Sequence, residues 1–245
     1  MAGSADFGYR KVAEDEKHHL VKGVFDSVAT KYDLMNDLMS SGLHRIWKNE
    51  MVRLLNPQDG MKILDMAGGT GDISFRILQK ADCNITICDI NEKMLGEGKK
   101  RAIDRNIYKN IDWLCADAEN LPIEDNVYDA YTIAFGIRNV THIDKALSEA
   151  YRALKIGGRF LCLEFSELQG DILQKIYDFY SFNIIPKIGE VVTGDRQGYE
   201  YLVESIRMFP KQEEFKEMIE QAGFANVKYH NLSQGIVAIH SGWKV

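Results

Sequence analysis

The chain reads as an α/β protein with a mostly parallel sheet and helices on both faces, and three observations predict it. Short apolar runs alternate with amphipathic stretches of helical length from residue 61 onward. The first run, "MKILDM", stops in a glycine-rich bend, "DMAGGTGD", that cannot be a helix interior and reads as strand, turn and helix start. The last two runs are joined only by "SQ" around Gly235, the mark of an antiparallel pair at a sheet edge.

Taken in order, "MKILDM" is followed by a helix from about Asp72 to Lys80, the strand "NITICDI" and the helix "NEKMLGEGKKRAIDR". Then come the strands "NIDWLCADA" and "VYDAYTIAFGI", the helix "HIDKALSEAYRALK" and the strand "GGRFLCLEFSE". Gly157 and Gly158 are expected to end the helix before that strand, where a positive φ is needed. Residues 168–210 break the alternation with the aromatic-rich "IYDFYSFNIIP" and a loop-like "KIGEVVTGDRQGYEYL", an insert that reads as a lid. The helix "QEEFKEMIEQAGF" and the strands "NVKYHNL" and "GIVAIHSG" complete the chain. Upstream, Val24, Phe25, Val28 and Tyr32 share one helical face, and "HRIWKNEMVRLL" is a second helix ending at "NPQDG". Residues 1–55 are therefore expected to form a helical cap over the site, and residues 56–245 the main domain.

The composition, 45% hydrophobic and 27% charged, is that of a globular chain that can bury a core. A net charge of -6 argues against a broad nucleic-acid surface. Cys83, Cys88, Cys115 and Cys162 lack CxxC spacing and read as buried reduced thiols, with no metal expected. No apolar stretch approaches the ~20 residues of a membrane span, and "MAGSADFGYRK" lacks the apolar core of a secretory signal, so a cytoplasmic location is expected.

The ligand of such a sheet lies beyond the carboxyl ends of its strands. A dinucleotide fingerprint needs G-x-G-x-x-G; here the turn carries Asp65, Ala67, Gly69 and Gly71, and Ser74, Phe75 and Arg76 fill the region of the third glycine. Asp72 is awkward beside a pyrophosphate and harmless beside a cation. The pattern favours S-adenosylmethionine, a sulfonium nucleoside, over a nicotinamide dinucleotide. Asp89, ending the second strand, suits the two ribose hydroxyls, and Asp117 beside Ala118, ending the third, suits the adenine amino group. Asp65 orients the turn or meets the methionine ammonium, and each of these acids could also be a simple cap. A parallel sheet with this terminal hairpin is the arrangement expected of a Rossmann-like class I methyltransferase.

Two longer motifs carry a closer likeness. "VFDSVATKYDLMNDLMSSGLHRIWK" and "YDAYTIAFGIRNVTHIDKALSEAYRALKIGGRFLCLEF", with "DMAGGTGDIS", "DINEKML" and "SIRMFPKQEEF", resemble the ubiquinone/menaquinone biosynthesis C-methyltransferase (UbiE-like) family over nearly the whole chain. The resemblance implies methylation of a ring carbon of a polyprenylated benzoquinol or demethylmenaquinol by S-adenosylmethionine. It places cofactor contacts on Thr70, Asp89, Asp117 and Ala118, within a set that also takes in Gly69, Gly71 and Ile90. Ala134 stands where the family often has serine, so a side-chain hydrogen bond is missing there.

Candidates for the chemistry lie in the same motifs. Arg138 is cast as stabilising a developing phenolate, or as an ion-pair partner of an acid; His44 as a base, or as a capping or surface residue. Asp33 and Tyr32 are further polar candidates, with packing as the alternative for Tyr32. The aromatic stretch 172–185 reads as core or as a greasy wall for the prenyl tail, with peripheral contact at the inner membrane. A polyprenylated quinol, other enzymes of quinone synthesis and a second copy of the chain are the expected partners, and nucleic acid is not. A methyltransferase for another small acceptor, or a non-catalytic scaffold in a quinone-synthesis complex, are the alternatives.

Overall fold

The computed structural model describes residues 3–28, 36–37, 40, 42–107, 109–168 and 196–245. The chain begins with a small hairpin, β1 (Ser4–Phe7) against β2 (Arg10–Ala13), before α1 (Glu14–Val28) and α2 (His44–Leu55). Then follow β3 (Lys62–Met66), α3 (Asp72–Leu78), β4 (Asn84–Asp89), α4 (Glu92–Asp104), β5 (Ile111–Cys115) and β6 (Tyr128–Ala134). The last third holds α5 (Ile143–Ala153), β7 (Leu154–Phe165), α6 (Arg196–Met208), α7 (Gln212–Gln221), β8 (Ala225–Leu232) and β9 (Val237–Trp243).

β3 to β9 form one seven-stranded sheet in the order β5-β4-β3-β6-β7-β9-β8. Five strands are parallel, and β9 runs antiparallel between β7 and β8. This is the Rossmann-like arrangement the sequence predicts. β3 leads outward to β4 and β5 on one side, and β6 starts the opposite side, so the order reverses between β3 and β6. That reversal opens a crevice above the carboxyl ends of these strands.

Side-chain alternation along the strands divides the core between the two faces. Ile63, Ile85, Ile87, Leu161 and Ile239 face the layer of α2 and α3. Leu64, Met66, Tyr131, Ile133 and Phe160 face α5 and α7. On α2 the buried stripe is Trp47, Met51, Val52 and Leu55. Trp47 meets Phe165 edge-on at 6.2 Å between centroids, and its Nε1 donates to Ser233 Oγ at 2.8 Å.

The structure departs from the sequence reading in four places. The β1–β2 hairpin precedes a cap that was expected to be helical from its start; it packs through Phe7, stacked on Tyr201 of α6 at 4.1 Å. As the sequence reading has it, β5 and β6 follow one another without a helix, and residues 116–127 cross as a loop. That loop is held by Arg152, which donates to Leu121 O at 2.9 Å and Ile123 O at 2.7 Å. The helix before β7 ends at Ala153, and Gly157, at φ 79, lies inside β7, where four residues bulge out between the pairings Tyr128–Leu154 and Ala130–Arg159. "RQGYEYL", expected to be loop, opens α6. Cys115 is exposed, while Cys83, Cys88 and Cys162 are buried as expected. The aromatic stretch 172–185 lies outside the described residues.

Trp47 anchors α2 to the sheet, so Trp47→Ala is expected to cost about 3–5 kcal/mol through lost burial and the cavity left behind. Urea unfolding monitored by circular dichroism measures it; a cost below about 1 kcal/mol would show that α2 is held otherwise.

Candidate functional site

The bend after β3 is built by backbone demands that the sequence meets. Gly69 and Gly71 have φ of 52 and 82, values costly for any side chain. Ala67 accepts the same region, at φ 52, without glycine's freedom, and Phe135, at the end of β6, does so at φ 57. Across the reversal Ala67 faces Gly136: a Cβ there would come 2.4 Å from the Ala67 Cβ, so only glycine lets the ends of β3 and β6 meet. Phe75 is fully buried under the bend, beside Gly71 and Ile87, and fills the gap where a dinucleotide fold would pack helix on strand through glycine.

Three carboxylates stand at the ends of β3, β4 and in the loop after β5, and all three line one crevice. Asp65 is 1% exposed; its Oδ2 accepts from Ser74 Oγ at 2.6 Å and its Oδ1 from Thr132 Oγ1 at 2.9 Å. Both oxygens are thus engaged by α3 and β6, so Asp65 orients the bend. Burial raises its pKa to about 6 against these hydrogen bonds. Asp89 Oδ2 accepts from the Gly69 N–H at 2.9 Å and Oδ1 from the Asn91 N–H at 2.8 Å. A carboxylate has about four lone-pair sites, so even with the Ile90 N–H nearby the group keeps room for a further donor. Burial raises Asp89 to about 6 as well. Asp117 Oδ1 accepts from Glu119 N at 2.9 Å.

Gly69, Thr70, Ile90, Ala118 and Ala134 also line the crevice, whereas Gly71 shapes the bend from below as the cap of α3. Thr70 Oγ1 accepts from Arg101 Nη1 at 3.1 Å. The roof is α1: His18, Val21, Lys22 and Phe25, at i, i+3, i+4 and i+7, turn toward the crevice. Lys17 Nζ donates to Val140 O at 2.9 Å near one end of α1, and Asp26 pairs with Lys93 at 2.8 Å near the other. The open space beneath is about 1110 Å³ including its mouth.

Neither described residue chosen for chemistry, Arg138 or His44, is brought here. Arg138 does not line the crevice: it is buried, and its Nη1 donates to Glu164 Oε1 at 2.8 Å and Phe135 O at 2.7 Å. Of its two sequence readings, the ion-pair partner is the one seen, and the guanidinium holds Phe135 in its left-handed conformation from behind. His44 also lies off the crevice, 4% exposed, with Nε2 2.8 Å from Asp37 Oδ1. Burial and the charge of Lys48 lower its pKa, and its backbone N–H bonds Ser40 Oγ at 3.2 Å, so it fastens the entry to α2. Tyr32 and Asp33 lie outside the described residues.

Among the crevice residues that sequence reasoning missed, three bear on the chemistry. Phe135 has no signal beyond its place after β6. Glu119, whose Oε1 accepts from the Thr141 and His142 N–H groups at 2.9 Å, looked like an ordinary loop acid. Lys48 did carry a signal: it precedes Met51, Val52 and Leu55 by three, four and seven residues, a charge on the buried stripe of α2.

The donor set fits S-adenosylmethionine. Acids at successive strand ends suit a cation with a ribose diol and an exocyclic amine, and the bend lacks the third glycine through which a dinucleotide fold packs helix on strand.

Comparisons with known proteins point the same way. The model of the ubiE/COQ5 methyltransferase family matches residues 10–244. The ubiquinone/menaquinone biosynthesis C-methyltransferase UbiE of Brucella suis biovar 1 (strain 1330) is 58% identical over 243 residues, 98% of this chain and 90% of that protein. Its counterpart in Brucella anthropi is also 58% identical, over 98% of this chain and 92% of its own length. Among solved structures, a SAM-dependent methyltransferase of Thermotoga maritima shares the fold at a TM-score of 0.63 and 19% identity, covering 91% of this chain and 99% of that one. Phosphoethanolamine N-methyltransferase 2 of Haemonchus contortus, solved with S-adenosyl-L-methionine, does so at 0.59 and 16%, covering 80% and 52%.

The Asp89 pKa gives this site a pH signature. Its carboxylate accepts hydroxyl donors above about pH 6 and is protonated below it, so S-adenosylmethionine affinity is expected to fall by up to about tenfold per pH unit below 6. Stability of the ligand-free protein moves the other way: an acid with a raised folded pKa destabilises the fold above that pKa, and stability returns as pH falls from about 6 toward the ordinary value near 4. Calorimetric titration from pH 7.5 to pH 5 measures the affinity. A flat profile in the wild type, or the wild-type profile persisting in Asp89→Asn, would remove Asp89 from the site.

Proposed function

Because the chain belongs to the ubiE/COQ5 methyltransferase family, we propose that it is an S-adenosylmethionine-dependent C-methyltransferase acting on a ring carbon of a polyprenylated benzoquinol or demethylmenaquinol. One observation of the fold carries this reading: the acids that follow neighbouring strands all open into one crevice under α1.

Asp89 holds the ribose through the lone pairs that Gly69 and Asn91 leave unused, and Asp117 takes the adenine amino group beside Ala118. Ile90, Ala118 and Ala134 supply flat apolar walls, and Thr70 and Gly69 close the floor. When bound, S-adenosylmethionine supplies an electrophilic methyl on a positively charged sulfur, which an electron-rich quinol ring carbon takes with loss of its ring proton. Val21 and Phe25 of α1 exclude water from that transfer, and Phe135 borders the acceptor end. Holding donor and acceptor in line is worth up to roughly 7–11 kcal/mol in reactions of this kind. Arg138 acts through Phe135, setting the backbone that the acceptor meets, while His44 keeps α2 in place. A cytoplasmic protein that touches the inner membrane peripherally suits a prenylated acceptor; among the described residues no helix is long and apolar enough to cross a membrane.

Labelled S-adenosylmethionine offered with short-tailed demethyl-quinols of both ring types tests the reading. Methyl transfer to carbon is expected, with turnover of Arg138→Ala reduced by 10-fold or more (about 1.4 kcal/mol or above) and its nucleoside affinity nearly intact. Transfer to neither quinol, with nucleoside still bound, would leave the chain a methyltransferase of another acceptor or a scaffold.

A further inference from the structure

The acids at the strand ends account for the ribose, the adenine and the positive charge of the donor, and leave its methionyl carboxylate without a partner. Their order along the sheet says where that carboxylate must lie. Asp117 follows β5, Asp89 ends β4, and the glycine bend follows β3, with Ala134 and Phe135 beyond it at the end of β6. With adenine at Asp117 and ribose at Asp89, the amino-acid end reaches over β3 and β6.

One cation is built into that end. Lys48 reaches the crevice from α2, is 4% exposed, and its ammonium sits 6.0 Å from the centroid of the Phe135 ring. Nζ donates to Asp72 Oδ2 at 2.9 Å, just past the bend. Among the described residues Asp72 is the acceptor within its reach, so two of its three N–H donors have none. Asp72 is itself shared, with Arg76 Nε on Oδ1 at 3.0 Å; burial would raise it, but Lys48 and Arg76 together hold it at about 2. A nearly buried ammonium keeping spare donors toward a crevice fits an anionic ligand group there. The other basic side chains that line the crevice, Lys22 and His18, are exposed on α1. Arg138 is spent on Glu164 and Phe135.

We infer that Lys48 binds the α-carboxylate of the methionyl moiety, so that it selects the intact amino-acid end of the donor and sets the sulfonium between Asp89 and Phe135. This rests on the donor assignment above and adds the one contact that assignment lacks.

Decarboxylated S-adenosylmethionine lacks only the group in question and is the probe. In calorimetric titrations the wild type is expected to bind S-adenosylmethionine about 10- to 100-fold more tightly than the decarboxylated compound, the range for a hydrogen-bonded charge pair. Lys48→Met should bring the two affinities together by weakening the first alone, and retained binding of the decarboxylated compound shows that the variant is folded. Should loss of the Asp72 partner unfold it, Lys48→Met combined with Asp72→Asn removes both charges and carries the same expectation. Undiminished discrimination in these variants, or its loss in Lys22→Met instead, overturns the assignment to Lys48 while the donor stands. A wild type that binds neither nucleoside overturns the donor itself.

Discussion

The hydrogen bond from the Gly69 N–H to Asp89 is the contact on which the rest of the site depends. It ties the bend after β3 to the end of β4, and it can form only because parallel pairing brings those two ends level. Asp65 completes the clamp from below, gripping α3 through Ser74 and β6 through Thr132. An unpaired polar group at such burial costs about 1–3 kcal/mol. The bend is therefore held by buried groups that must find these partners, and its left-handed residues are tolerated because the surroundings leave no other course.

The same burial that fixes the clamp prepares its electrostatics. Two carboxylates sit near pKa 6 because water is excluded from them. A desolvated acid gains most from a ligand that brings positive charge and hydroxyl donors, and a phosphate would meet it with repulsion. Opposite them, Lys48 and Arg76 hold Asp72 ionised. The crevice therefore joins strand-end carboxylates to a Lys48–Asp72 ion pair, and the proposed reading sets the nucleoside against the first and the amino-acid end against the second. Above it, α1 is pinned at both ends to neighbouring loops and helices, which makes the roof part of the binding surface.

Much of the sheet could be read from residues alone, because buried strands announce themselves as apolar runs and the glycine bend admits few conformations. Asp89 and Asp117 were visible for the same reason: an acid after an apolar run lands at a strand end, as Asp89 does on β4, or just beyond it, as Asp117 does two residues past β5. What escaped depended on tertiary partners. The β1–β2 hairpin is too short to show a period, and its support, Tyr201, is nearly two hundred residues away. Gly157 looked like a helix stop because a positive φ serves a bulge equally well. Arg138 and His44 have the chemistry of catalytic groups, yet Glu164 and Asp37, which claim them, are marked by nothing in the local sequence. Lys48 could have been suspected, since an apolar stripe seldom carries a charge without a buried purpose.

The central claim is that the strand-end carboxylates grip a sulfonium nucleoside beside the bend after β3. A crystal structure of the chain with S-adenosylhomocysteine tests it most directly. The account requires the ribose hydroxyls on Asp89 and the adenine amine at Asp117, with the ligand beneath α1. A ligand bound elsewhere, or one whose ribose turns away from Asp89, would contradict it.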